Sequence, residues 1–131
     1  MIFVDSNIPM YVVGNDQLHK AAAMSAIGEA LARDQRLVSD AEVLQEILHR
    51  YTAIRRTEAI GPAFDALSAT VDEIFPIETI DVQAAKEIIL GSVRPSARDA
   101  LHVAVMRRHG IDTIMSFDRG FETMPGIRRV A

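Results

Sequence analysis

The stretch Ile2-Phe3-Val4-Asp5-Ser6-Asn7-Ile8-Pro9 constrains the fold of this chain more than any other. Three apolar residues in a row predict a short strand deep in a sheet, and the run ends on a carboxylate, Asp5. Ser6 or Asn7 then caps a helix, and Pro9 stands in the first helical turn, where proline is tolerated. A buried strand that turns at once into a helix is the opening of an α/β sheet. In open sheets of this kind, ligands bind in the crevice beyond the carboxyl ends of the strands. Asp5 therefore marks where a site would lie.

The rest of the chain keeps the same alternation. A short helix over 8–13 is broken by Gly14-Asn15-Asp16. A second helix runs from Leu18 to about Arg33, with Ala22, Met24, Ile27 and Leu31 near helical spacing. Leu37-Val38 reads as the second strand. Ser39 and Glu42 have the spacing of a capping box, with Ser39 as the cap. They open a helix whose Val43, Leu44, Ile47, Leu48 and Tyr51 form a buried stripe. Another helix spans about Thr57 to Thr70 and carries Ile60, Phe64 and Leu67, with Val71 in step just beyond. Ile74-Phe75-Pro76-Ile77 reads as an edge strand, because proline cannot donate to a sheet ladder. Asp81 opens a helix that ends at Gly91. Ser96 or Ala97 opens one that runs to His109, with Gly110 as the glycine past its end. Thr113 to Ser116 is a strand, and residues 127–130 form a last one. Strands alternating with helices predict a central parallel sheet of four to five strands with helices on both faces.

The length of 131 residues suits a single domain over 1–131, and 49% hydrophobic residues suffice for one core. The absence of cysteine excludes disulfides and thiolate metal sites and suits a reducing cytoplasm. No stretch approaches the roughly 20 apolar residues of a membrane span, and no basic region leads an apolar segment at the start. The net charge of −4 argues against coating nucleic acid through bulk charge. It leaves room for an acidic, metal-filled pocket served by a few arginines. Twelve of the 14 basic residues are Arg, the better bidentate partner for phosphate, and only Lys20 and Lys86 are Lys.

Four carboxylates occupy related local positions. Asp5 ends the first strand, Glu46 lies in the helix after the second, Asp99 is in the first turn of the helix before the fourth, and Asp118 follows the fourth. Each taken alone is an ordinary turn residue or cap, and Asp99 also complements a helix dipole. Together at one sheet edge they would repel, and a bound divalent cation would relieve them. Hard oxygen donors suit Mg2+ or Mn2+, and such a site can orient a phosphodiester and activate water. Glu42 competes with Glu46 for the fourth place. A capping box would occupy Glu42 and leave Glu46 free one turn on.

Val4-Asp5-Ser6-Asn7, Val43-Leu44-Gln45-Glu46-Ile47, Arg98-Asp99-Ala100-Leu101-His102 and Met115-Ser116-Phe117-Asp118-Arg119-Gly120-Phe121 stand in the order and spacing of PIN-domain nucleases. The chain most resembles the VapC ribonuclease toxins of toxin–antitoxin pairs, from Ile2 to about Val130. The resemblance implies a PIN-like three-layer α/β/α sandwich and a metal-dependent ribonuclease with Asp5, Glu46, Asp99 and Asp118 as its acids. Asp5, Asp99 and Asp118 would hold Mg2+ directly or through water, with Mn2+ as the alternative ion. Glu46 would act through water or help deprotonate it. Asn7 and Ser116 would support them, and Arg98 and Arg119 would contact RNA phosphate. The resemblance also implies a homodimer in the cytoplasm, no membrane association and a cognate antitoxin. The alternatives are a solitary PIN-domain RNA-processing nuclease and a PIN-like binding module without catalysis.

Other functions fit less well. A phosphate-accepting receiver domain would want a lysine beyond a late strand, and both lysines fall in predicted helices. A phosphatase of the haloacid dehalogenase type would want Asp where Asn7 stands. His102, three residues after Asp99, and His49, three after Glu46, read as structural histidines. Arg55-Arg56, Arg107-Arg108 and Arg128-Arg129 read as solvated faces. Met10, Tyr11, Ile54 and Ile60 could form an apolar groove for a partner helix, and core packing explains the same residues without one, so the partner rests on the resemblance alone.

Overall fold

The computed structural model describes residues 1–91 and 93–131. Among these residues, five parallel strands form one sheet: β1 (Ile2–Val4), β2 (Leu37–Asp40), β3 (Glu73–Phe75), β4 (Thr113–Met115) and β5 (Arg128–Val130). Their order is β3-β2-β1-β4-β5. The chain steps outward from β1 to β3, returns across β1 to β4 and ends at β5. The reversal falls between β1 and β4, which makes that junction the switch point where open α/β sheets bind ligands. Ile2 pairs with Thr113 and Val4 with Met115, so the residues after the two strands emerge side by side.

Among the described residues six α-helices fill the connections: α1 (Asn7–Val12), α2 (Gln17–Ala32), α3 (Ala41–Ala53), α4 (Ile60–Thr70), α5 (Thr79–Leu90) and α6 (Ala97–Arg108). The two sheet faces are told apart by strand alternation. Ile2, Thr113 and Met115 line a cavity with Ala22, Ala26 and Ala30 of α2. Phe3 points the other way, its ring 5.3 Å from that of His102 on α6. Phe3 and Val4 are both fully buried, so β1 is covered on both faces, as its unbroken apolar run requires. The edges are managed by sequence. Pro76 stands just past β3, and β5 carries Arg128 and Arg129.

Several helix boundaries differ from the sequence expectation, each for a local reason. Ser39 does not cap α3. It lies in β2, where its hydroxyl donates to the Val4 carbonyl at 2.9 Å. Asp40 is the cap instead and accepts from the Val43 amide at 3.0 Å. Glu42 is therefore one place too early to close a capping box. Ser6 stands at the cap of α1 without a side-chain cap bond, and Asn7 is already the first helical residue. The expected helix over 57–70 divides into a 3-10 turn, Thr57–Ala59, and α4. Pro62 has no N–H to bond back, which fits a helix that starts only at Ile60. Asp81 does not open α5. Glu78 is its cap, and Asp81 sits in the first turn, accepting from the Glu78 amide at 2.9 Å. At α6 the expectation holds: Ser96 accepts from the Asp99 amide at 3.1 Å, and Gly110 takes the left-handed φ of 69° that ends the helix.

Candidate active site

The site begins where β1 stops. The Asp5 amide still bonds to the Met115 carbonyl, at 3.0 Å, so the ladder holds Asp5 one residue beyond the strand. Its carboxylate is 4% exposed. Oδ1 accepts from the Ser6 amide at 2.8 Å, and Oδ2 accepts from the Ser116 hydroxyl at 2.6 Å. The Asn7 amide group donates to Asp5 Oδ2 at 3.4 Å and to Ser116 Oγ at 3.1 Å. Asn7 Oδ1 takes the Phe117 amide at 3.3 Å, and Ser116 Oγ takes the Asp118 amide at 3.0 Å. Asn7 and Ser116 thus lock the loop after β4 onto the start of α1. Asp118 opens the next 3-10 turn, Arg119–Thr123, by accepting from the Gly120 amide at 2.8 Å.

Glu46 enters from α3. The Ser6 hydroxyl donates to its Oε2 at 2.9 Å, and His102 Nε2 lies within hydrogen-bonding reach of its Oε1. The other nitrogen of His102, Nδ1, is 2.9 Å from Asp40 Oδ2. Nε2 also lies 4.0 Å from Asp5 Oδ1. Glu42, the competitor for the fourth place, turns aside to Arg98 at 3.4 Å. Arg119 opens its turn exposed to solvent.

Electrostatics ties the four acids together. Asp99 titrates at about 6, raised first by burial and then by the negative charges of Asp5, Asp118 and Glu46. Burial also pushes Asp5 above its ordinary range, with Glu46 adding to it, beyond what His102, Ser116 and the Ser6 amide pull back. Burial would raise Glu46 as well. The hydrogen bond and charge of His102, with Ser6 and Arg98, outweigh it and hold Glu46 below the usual carboxylate range. Burial opposes the charge on His102, yet Asp40, Glu46 and Asp5 raise its pKa well above the ordinary histidine value.

This donor set fits a divalent cation. Burial first, and then neighbouring negative charge, holds Asp5 and Asp99 against ionisation, and a cation among them would offset that cost. Single ligand atoms of Asp5, Glu46 and His102 lie within 4.8 Å of one another. His102 is nevertheless a poor ligand here, because both ring nitrogens already face carboxylate oxygens. The oxygen donors are hard, which favours Mg2+-like ions over softer ones.

The PIN-domain family model matches residues 2–127. The chain belongs to the PIN-domain family. Among curated PIN-domain relatives, it is 58% identical over 131 residues to Ribonuclease VapC13 of Mycobacterium tuberculosis, covering all of both chains. It is 36% identical over 118 residues to Ribonuclease VapC23 of the same organism, covering 90% of this chain and 93% of that one. The fold matches VapBC2 from Rickettsia felis bound to a promoter DNA fragment, with a TM-score of 0.74 at 16% identity over 99% of this chain and 98% of that one. It also matches VapC20 of Mycobacterium tuberculosis, described as a toxin cleaving the sarcin-ricin loop, with a TM-score of 0.68 at 22% identity over 91% of each chain.

Within this PIN domain, the strand-end reasoning finds Asp5 and Asp118 but misses Asp40 and sets His102 aside as structural. Asp40 is the last residue of β2, close to the place Asp5 takes just past β1, so the same strand-end rule carries a signal for it. His102 sits one helical turn after Asp99, a spacing that puts both on one face. Its partners Asp40 and Glu46 come from elsewhere in the chain. His49 stays exposed on α3.

Proposed function

We propose that this chain is a Mg2+-dependent endoribonuclease and the toxin of a toxin–antitoxin pair, acting as a single domain. The observation that supports the reading is that Asp99 is raised to about 6, first by burial and then by the nearby charges of Asp5, Asp118 and Glu46. The 58% likeness to a VapC ribonuclease over the whole chain supports the choice of RNA as substrate. The fold is also similar to a chain of a toxin–antitoxin complex from Klebsiella pneumoniae, in line with an antitoxin partner.

Asp5, Asp99 and Asp118 would hold the ion, directly or through water, and Mn2+ would serve in place of Mg2+. Once bound, the ion would supply Lewis-acid polarisation of the phosphodiester and a more acidic water. The protein's own groups do the rest. Ser116 and Asn7 fix the Asp5 carboxylate through hydrogen bonds at 2.6 and 3.4 Å. Glu46, held ionised, accepts a hydrogen bond from the attacking water and keeps it oriented. Arg98 and Arg119 contact RNA phosphates on either side.

A cleft of about 570 Å³ leads away from Ser6, Asn7 and Glu46, walled by Met10, Tyr11, Tyr51 and Ile54. An amphipathic segment of the antitoxin would lie there. Assembly as a homodimer in the cytoplasm completes the proposal. Among the described residues no helix is long and apolar enough to cross a membrane.

The test is cleavage of RNA by purified protein with and without Mg2+, set against Asp5→Ala and Asp118→Asn. The parent is expected to cut only with the metal, and both variants to lose cutting. If Asp5→Ala cut RNA as fast as the parent, the proposal would be sunk.

A further inference from the structure

We propose that His102, braced from behind by Asp40, is a positioning residue that fixes the Glu46 carboxylate in the site. The inference rests on the nuclease reading and adds to it a chain of two side chains that the acids alone do not include.

Asp40 and His102 are both fully buried. Asp40 is fixed at the start of α3 because its Oδ1 accepts from the Val43 amide at 3.0 Å. Its Oδ2 then holds Nδ1 of His102 at 2.9 Å. The ring of Phe3 packs beside the imidazole, with centroids 5.3 Å apart and planes tilted by 46°. The ring is thereby held at one nitrogen and supported along its side. Nε2, at its far end, is aimed at Oε1 of Glu46.

Glu46 needs such a hold. Its side chain is long and 17% exposed, and it faces other carboxylates that repel it. Ser6 holds Oε2 at 2.9 Å and His102 holds Oε1, so the carboxylate plane is set from two sides. Each oxygen can still accept a further bond. A carboxylate-to-histidine pair that orients a neighbouring group is a recurring support for metal sites, where losing it costs about 10–100-fold in affinity or activity. The competing account is that His102 merely neutralises buried Asp40, with Glu46 incidental to it.

Two substitutions separate these accounts. In His102→Asn the side-chain amide takes the place of Nδ1, so it reaches Asp40 and not Glu46. In His102→Gln it takes the place of Nε2, so it reaches Glu46 and not Asp40. Three readouts are compared: kcat and KM for RNA cleavage, Mn2+ affinity by titration calorimetry, and Tm. The proposal expects His102→Asn to lose about 10–100-fold in kcat with little change in KM, and to bind Mn2+ more weakly. It expects His102→Gln to keep the larger share of both, although it is the less stable of the two. Activity and Mn2+ affinity that follow stability, with His102→Asn the better enzyme, would overturn it. So would equal activity in the two variants.

If the parent itself cuts no RNA, the nuclease reading fails alone, and the Mn2+ ranking still decides the role of His102. If either His102 variant fails to fold, Asp40→Asn decides, since Asn retains the cap on Val43. The proposal expects it to lower kcat severalfold and to leave KM near the parent value. An unchanged kcat would refute the brace.

Discussion

Asp5 and Asp81 are both buried carboxylates, 4% and 1% exposed, and their surroundings treat them in opposite ways. Asp81, in the first turn of α5, meets Arg108 of α6 through two hydrogen bonds at 2.6 and 2.9 Å and the Glu78 amide at 2.9 Å. Burial alone would raise its pKa, but Arg108 and the amide outweigh it and hold it below the usual range. Among the described residues Asp5 has only hydroxyl and amide donors close by, and the one cation near it, His102, lies 4.0 Å away and is shared with Asp40 and Glu46. Its pKa is raised. One carboxylate is matched by its own fold to a full counter-charge; the other is left short of one. A buried charge that serves only architecture is matched, because an unmatched one is costly. The shortfall around Asp5, Asp99 and Asp118 marks the place where something from outside supplies the charge.

The largest test of this contrast is Asp99→Asn. It should lower RNA cleavage by about a hundredfold or more, the scale seen when one electrostatic group is removed from a site. It should also raise Tm of the metal-free protein at pH 7.5. The sign follows from the pKa of about 6 against an ordinary 3.8. Such a group gives its full stability below the lower value and loses it as pH rises through the higher one. Asn carries no charge, so the gain in Tm appears above pH 6 and fades toward pH 4. A lower Tm for Asp99→Asn at pH 7.5 would break the comparison.

Arg108→Ala should do the reverse. It leaves Asp81 without its partner, read as a lower midpoint in denaturant unfolding, while kcat per folded molecule stays unchanged. Added Mg2+ sharpens the contrast at a smaller scale. At a hundred times its Kd, a ligand specific for the folded state stabilises by about 2.7 kcal/mol, read as a rise in Tm at pH 7.5. The rise should shrink at pH 5, where Asp99 is protonated, and should persist in Arg108→Ala. Glu42→Ala should show the least. Glu42 pairs with Arg98 near the surface at 3.4 Å, so unfolding should change by no more than about 1 kcal/mol and cleavage by less than a few-fold.

The matched pair and the unmatched cluster are not equally legible in the sequence. Asp5 and Asp118 follow apolar runs at strand ends, and that pattern points to one edge of a parallel sheet. The preference for Glu46 over Glu42 leans on a capping box that does not form, and Glu46 stands in the site because α3 starts at Ala41 under an Asp40 cap. Two adjacent polar residues, Ser39 and Asp40, are both good caps, and nothing local decides which of them still belongs to the strand. Ser6 and Asn7 read as caps for the same local reason. Their side chains instead bond to Glu46 and Ser116, 40 and 109 residues away. His102 finds Asp40 across 62 residues. Pairing of Asp81 with Arg108, 27 residues on, is equally invisible, since one reads as a helix boundary and the other as part of a solvated face. Periodicity reports which face of an element is apolar. It does not report which polar groups meet once the elements are packed.

The hydrogen bond between Ser116 and Asp5 spans 111 residues. This has a consequence in time. On a growing chain β1 is made well before β4, the neighbour on its other side. Until then Asp5 has neither Ser116 nor Asp118 beside it. Contacts of such long sequence separation form late and slowly. A chain interrupted anywhere before Asp118 lacks part of the cluster. The acidic edge of this sheet is therefore assembled only after two distant stretches of chain have both been made.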